Sequence, residues 1–162
     1  MSYPTVTVET DQGTFQVELW NDVAPGHSEN FLKLVRQGFY DGLSFHRILP
    51  GFVIQGGCPK GDGTGGPGWR VKAELNAREH QPGVLSMARS NDPDSAGSQF
   101  FVCLTREHCK PLDRQYTAFG KVTRGMDVVE KIAAAPVDPR SGKPSGKPPR
   151  MVKVTEDAKA KT

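Results

Sequence analysis

No stretch of this chain approaches the run of about 20 apolar residues that a membrane helix needs, so a membrane anchor is not expected. Met1-Ser2-Tyr3-Pro4 leads directly into an alternating pattern, without a basic region followed by an apolar core. A secretory leader is therefore not expected, and the location expected is the cytoplasm. Cysteine is scarce: Cys58, Cys103 and Cys109 are an odd number with no paired spacing. That pattern argues against a disulfide framework and for reduced thiols. One-sided charge is scarce too. The net charge is +3, no run of Lys and Arg exceeds two residues, and the basic excess sits mostly in the C-terminal quarter. Nothing in this pattern supports nucleic-acid binding. The chain has no internal repeat and no composition shift that would mark a domain boundary.

What is present is a chain of 162 residues, 36% hydrophobic and 24% charged, which fits one globular domain with a buried core. Eighteen Gly and thirteen Pro are spread among short apolar runs. Such spacing indicates many turns between short strands.

Val6 and Val8 alternate with polar residues, as do Phe15, Val17 and Leu19, around a turn at Asp11-Gln12-Gly13. This predicts a hairpin with one buried face. Residues 21–38 carry a helical stripe of Phe31, Leu34 and Val35, with Pro25 suited to the first turn and Gly38 to the stop. Two short strands are expected within 43–55, split by Pro50-Gly51, and further strands over 84–88, 99–104, 118–122 and 151–154. Met126, Val129, Ile132 and Ala133 mark a second helix opened after Gly125. The segment 56–68 holds seven Gly and two Pro and must be loop. The fold class expected is mainly β: an eight-stranded closed antiparallel barrel capped by two helices, since closure removes exposed strand edges. The domain is expected to span 1–155, with a flexible tail over 156–162.

Several motifs fail on chemical grounds. The run GCPKGDGTGGPG lacks the Lys-Ser or Lys-Thr ending of a phosphate loop, and no helix follows it. A calcium loop beginning at Asp92 would place Cys103 where a bidentate Glu is required. His108, Cys109 and Cys103 lack a second ligand pair at zinc spacing. Ser86, Ser95 and Ser98 have no nucleophile-elbow context. No metal and no cofactor are expected.

Four stretches remain: SFHRILPGFVIQGG at 44–57, GVLSMAR at 83–89, AGSQFFV at 96–102 and LDRQYTAFGKV at 112–122. Gln99 and Phe101 share one strand face while Phe100 and Val102 share the other, and Val53 and Gln55 repeat the arrangement. An amide beside an aromatic ring on an outward face suits a peptide carrying Pro. In order and spacing the four stretches resemble the signature segments of the cyclophilin family of peptidyl-prolyl cis-trans isomerases, most like its compact bacterial members, and the resemblance runs from Val6 to Val154.

The resemblance implies an eight-stranded barrel with a proline-binding groove on its outer surface. It implies catalytic roles for Arg47 and Gln55, and substrate-binding roles for Phe52, Val53, Ala88, Arg89, Gln99, Phe101, Leu112 and Tyr116. Proline-containing peptides and proteins are the partners it implies; no nucleic acid and no membrane are expected, and a monomer is expected. Val53 stands where the better-known members place Met, Arg89 where they place Asn, Pro111 where many place Trp, and Tyr116 where they place His. Two extra residues lie between Cys103 and Leu112. These departures bear on substrate preference and cyclosporin binding rather than on the reaction. The competing readings are a scaffold or chaperone that binds Pro segments without turnover, and a nucleic-acid-binding barrel drawing on Arg47, Arg89, Arg106 and Arg114.

Overall fold

Hydrophobic alternation along short segments produces a single curled antiparallel sheet of eight strands in the computed structural model, which describes residues 3–157. The strands are β1 (Thr5–Thr10), β2 (Gly13–Leu19), β3 (Arg47–Leu49), β4 (Val53–Gly56), β5 (Val84–Met87), β6 (Phe100–Cys103), β7 (Ala118–Arg124) and β8 (Met151–Glu156). Their order across the sheet is β3-β4-β6-β5-β7-β2-β1-β8. The hairpin expected at the N-terminus is present, with Val6 opposite Val17 and Val8 opposite Phe15.

The sheet stops short of the fully closed barrel that the sequence pattern predicts. Its outer strands β3 and β8 share no ladder among the described residues; an isolated bridge between Ser44 and Arg150 joins the chain just before each of them. Phe45 N donates to Pro149 O at 2.8 Å and Met151 N to Leu43 O at 2.8 Å, so backbone groups beside the strands close the gap. The outer edge of β3 is taken instead by the loop at Gly142, whose O accepts from Ile48 N at 2.7 Å.

Helix α1 (Pro25–Arg36) packs against β7 and β8, with Pro25 in its first turn. Its Phe31 ring meets Tyr40, Phe100 and Phe119 at centroid distances of 5.0, 5.4 and 5.5 Å. The helix expected after Gly125 is α3 (Met126–Ala133), packed on β2 and β4. Gly125 opens it in the left-handed region at φ 82°, where a Cβ would sit 2.6 Å from Thr14 O.

Among the described residues there are three α-helices rather than the two expected. Between α1 and α3 lies the one-turn α2 (Arg106–Cys109), capped by the Thr105 side chain and followed by a 3₁₀ turn over 110–112. Four residues are too few to show helical periodicity. At the C-terminus, Glu156 pairs with Val6 and Asp157 N donates to Thr5 O at 2.9 Å. Those two residues, expected in the tail, are therefore anchored; the rest of that segment, 158–162, lies outside the described residues.

The sheet buries both faces, and they hold separate apolar clusters. Ile54, Leu85, Met87, Phe100 and Val102 join the main core beneath α1 and α3. Val53, Val84, Phe101 and Cys103 belong to a smaller cluster on the opposite face, with Phe52, Leu112 and Tyr116 packed at its edge. The period-2 alternation of β4, β5 and β6 sends successive residues to different clusters.

Candidate functional site

A row of register partners crosses the outer face of the sheet. Arg47 on β3 stands opposite Gln55 on β4, Gln55 opposite Phe101 on β6, and Phe101 opposite Ser86 on β5. Directly opposed residues in neighbouring strands point to the same face. The sheet thus places a guanidinium, an amide and an aromatic ring side by side without any loop having to position them.

Three members of this row, Arg47, Gln55 and Phe101, line a pocket of about 240 Å³. Phe52, Val53, Leu112, Tyr116, Ala88 and Arg89 complete its lining. Nine of the ten residues singled out in the sequence therefore meet in one cavity. The tenth, Gln99, lines an adjoining cavity of about 680 Å³ under the Gly-rich loop. Its Nε2 donates to Gly63 O and to Gly65 O, both at 2.9 Å, and its Oε1 accepts from Gln55 Nε2 at 3.1 Å. Gln99 thus ties the loop to the sheet. Gly57 lets the loop leave β4: at φ 92° its Cβ would lie 2.6 Å from Ser98 O.

Arg89 is fixed rather than free. Its Nη2 and Nε donate to Gln115 O at 2.8 and 3.2 Å, its Nη1 donates to Ser90 O at 2.9 Å, and its guanidinium lies 4.4 Å over the Tyr116 ring. Tyr116 in turn meets Phe101 edge-on at 5.8 Å. The cation and the two rings form a stacked wall.

Behind Phe101 lies an arrangement that the sequence did not disclose. The His80 ring stacks on Phe101 at 6.3 Å; its Nε2 lies 2.9 Å from Ser86 Oγ and its Nδ1 3.1 Å from Asp113 Oδ1. Asp113 also takes two hydrogen bonds from Arg106, at 2.7 and 3.0 Å. These, with the His80 contacts, hold its carboxyl well below the usual carboxylate range. Burial keeps the His80 imidazole below its ordinary value, hence neutral. Nδ1–H donating to the carboxylate and Nε2 accepting the serine proton satisfy every group. Ser86, His80 and Asp113 have the connectivity of a hydrolytic triad, but Ser86 and His80 are 0% exposed, so no substrate reaches the hydroxyl. The chain braces Phe101 from below.

His46, which alternation sets opposite to Arg47, is buried at the floor of the Gly-rich loop, its Nε2 3.6 Å from where a Gly63 Cβ would stand. Burial first, then the Arg47 charge, lowers its affinity for a proton. The three cysteines are free and buried, with Cys109 Sγ donating to Phe52 O at 3.3 Å. Among the described residues no group of three His, Cys, Asp or Glu could hold a metal ion, and no helix is long and apolar enough to cross a membrane.

Chemically, the smaller pocket offers hydrogen-bond donors beside an apolar hollow. None of its lining residues is a Ser, Cys, His, Asp or Glu. It is suited to holding a compact apolar group and polarising an atom next to it, not to breaking a covalent bond.

Comparison with known proteins agrees with this geometry. Residues 5–156 match the family model described as cyclophilin type peptidyl-prolyl cis-trans isomerase/CLD. The chain is 46% identical over 130 residues to a peptidyl-prolyl cis-trans isomerase of Helicobacter pylori, covering 78% of each chain. It is 47% identical over 125 residues to peptidyl-prolyl cis-trans isomerase B of Bacillus subtilis, covering 76% of this chain and 85% of that one. A crystal structure of a cyclophilin type isomerase from Cryptosporidium parvum, determined in the presence of the dipeptide Ala-Pro, superposes with a TM-score of 0.88 at 30% identity, covering 96% of this chain and 99% of the other.

Proposed function

This chain belongs to the cyclophilin-type peptidyl-prolyl cis-trans isomerases, and on that premise we propose that Arg47 catalyses rotation about X-Pro bonds whose proline ring sits in the pocket over Phe101. The observation that carries this reading is the row Arg47–Gln55–Phe101, which sets a cationic donor in the same pocket as a set of apolar side chains.

Rotation about a peptide bond must lose amide resonance, at a barrier of about 18–20 kcal/mol. No bond breaks and no proton changes owner. As the bond twists, the prolyl nitrogen becomes pyramidal and gains a localised lone pair. A donor aimed at that nitrogen stabilises the twisted state and finds no partner in the planar one, which is the difference that catalysis requires. Arg47 supplies the donor, and a guanidinium stays charged throughout the physiological range. Phe52, Phe101 and Leu112 hold the ring and keep water from it. Gln55, beside Arg47, positions the guanidinium or binds the carbonyl preceding proline. The Ala88-Arg89 segment holds the residues before proline in extended form. The binding partners that follow are proline-containing peptides and unfolded or folded proteins.

The test is a protease-coupled isomerisation assay with short X-Pro peptides, without added metal or nucleotide. Acceleration is expected for several X residues. Rates equal to those in buffer would overturn this reading and favour the scaffold.

A further inference from the structure

The basic excess of the C-terminal quarter gathers on one loop. Residues 137–150 hold Arg140, Lys143, Lys147 and Arg150 against a single carboxylate, Asp138, and four prolines restrict the backbone between them. The loop is ordered by its own main chain. Gly142 N donates to Asp138 O and Asp138 N to Lys143 O, both at 2.8 Å, and Ser145 N donates to Pro136 O at 2.9 Å. The Asp138 carboxylate takes part in the turn, its Oδ1 accepting from Arg140 N at 2.9 Å. Gly142 fastens this arch to the outer edge of β3. At φ 76°, a Cβ there would lie 2.9 Å from Ile48 O and 3.2 Å from Arg47 Cγ. The arch therefore borders the groove at Arg47 without lining either cavity.

Arg140, Lys143 and Lys147 are exposed and, among the described residues, take part in no ion pair. Arg150 and Lys153 continue the basic run, but Asp11 Oδ1 accepts from Arg150 N at 3.2 Å and Glu9 faces Lys153 across the β1–β8 ladder, so acids stand beside them. No aromatic residue follows Phe119 in the chain, so the segment offers no stacking platform for nucleic-acid bases.

We propose that the arch is a docking surface for an acidic stretch of a partner protein, its carboxylates paired with Arg140, Lys143 and Lys147. Cations on an ordered backbone attract and steer an oppositely charged segment. The prolines and the main-chain bonds order the loop in advance, which lowers what binding must spend on ordering it. One solvated pair contributes little, so the ligand is a run of carboxylates rather than a single one. A protein held there would present its prolines to the neighbouring pocket at raised local concentration. That consequence rests on the isomerase reading; the docking does not.

The experiment titrates the full chain into a fluorescein-labelled, proline-free peptide of alternating Glu and Gly, and into its Gln counterpart, and reads anisotropy. At low salt the Glu peptide should bind about tenfold more tightly. The advantage should shrink toward one at about 0.5 M NaCl, where screening acts over a few ångströms. K143E/K147E should abolish it. K72E/K121E, which changes the same charge at exposed positions outside the arch, should keep it. K143Q/K147Q, a milder change, should weaken the advantage severalfold and covers the case in which charge reversal disturbs the fold. No advantage for Glu at low salt, an advantage unchanged in the folded arch variants, or an equal loss in K72E/K121E would overturn the docking surface. Tighter binding of a thymidine oligonucleotide of equal charge would overturn the assignment to an acidic protein. The folded arch variants should keep wild-type kcat/KM on a short uncharged X-Pro peptide, so a wild type without that activity sinks the isomerase reading while the anisotropy still decides the docking.

Discussion

Gln55 stands directly opposite Arg47 across the β3–β4 ladder. The partnership fixes where the Arg47 backbone sits, while the side chain itself is exposed and makes no ion pair among the described residues. Arg47→Ala should therefore leave the fold intact and cut kcat/KM by roughly 10²–10³-fold, the usual cost of removing a transition-state donor. Kinetics on one X-Pro peptide, with circular dichroism as the folding control, measure this. A folded variant with nearly wild-type activity removes Arg47 from the mechanism.

Stability should depend on pH through buried histidines. Burial lowers the proton affinity of His27, His46 and His80 in the folded chain. Below about pH 6.5 the unfolded chain takes up protons that the folded chain refuses. Stability is thus complete above that value and declines as pH falls toward 5, before carboxylates contribute. A thermal scan at several pH values should show a flat Tm from about 7 to 9 and a falling one from about 7 to 5. A Tm unchanged across the lower window contradicts the assignment of these rings as neutral.

Activity, in contrast, should vary little with pH above about 6.5, because the rotation moves no proton and His46, the imidazole beside Arg47, is already neutral there. The profile of kcat/KM for one peptide is the readout. A bell shape with folding unchanged indicates general acid–base chemistry and removes the permanently charged donor from consideration.

Ser86→Ala strips His80 Nε2 of its 2.9 Å partner in a site with no access to water. A buried acceptor left alone costs about 1–3 kcal/mol. Urea denaturation should register that loss, and kcat/KM should fall a few-fold as Phe101 loses its brace. A variant as stable as wild type shows that the Ser86–His80–Asp113 chain contributes no net stability.

Cyclosporin should bind weakly. The resemblance assigns its indole contact to the position of Pro111, which here is exposed in the 3₁₀ turn and lines neither cavity. Trp69 lines the larger cavity rather than the smaller pocket, and its Nε1 donates to Asn30 Oδ1 at 2.7 Å while the Lys33 ammonium lies 4.5 Å over its ring. Inhibition titrations should show weak binding that Pro111→Trp tightens. Tight inhibition of the wild type shows either that the alignment at Pro111 is wrong or that Trp69 supplies the contact.

How much was legible in the sequence follows from the range over which each signal acts. Alternation is local, so it separated Phe100 and Val102 from Phe101, and Gly125 marked the start of α3. Ten residues from four motifs pointed to one groove, and nine of them share its pocket. Long-range polar contacts carry no such pattern. His80 and Asp113 are 33 positions apart and Gln99 and Gly65 are 34 apart, so neither the brace nor the loop tie could be read from spacing. The near-closure of the sheet depends on backbone groups outside any strand, where side-chain identity says little.

Because core and groove occupy opposite faces of the same strands, the chain separates what it must keep from what it can change. On β4 and β6, Ile54, Phe100 and Val102 belong to the main core, while Val53 and Phe101 line the smaller pocket. On the proposed reading, Val53, Arg89, Leu112 and Tyr116 are the positions at which drift or design would retune which prolines are accepted, because none of them belongs to the main core beneath α1 and α3.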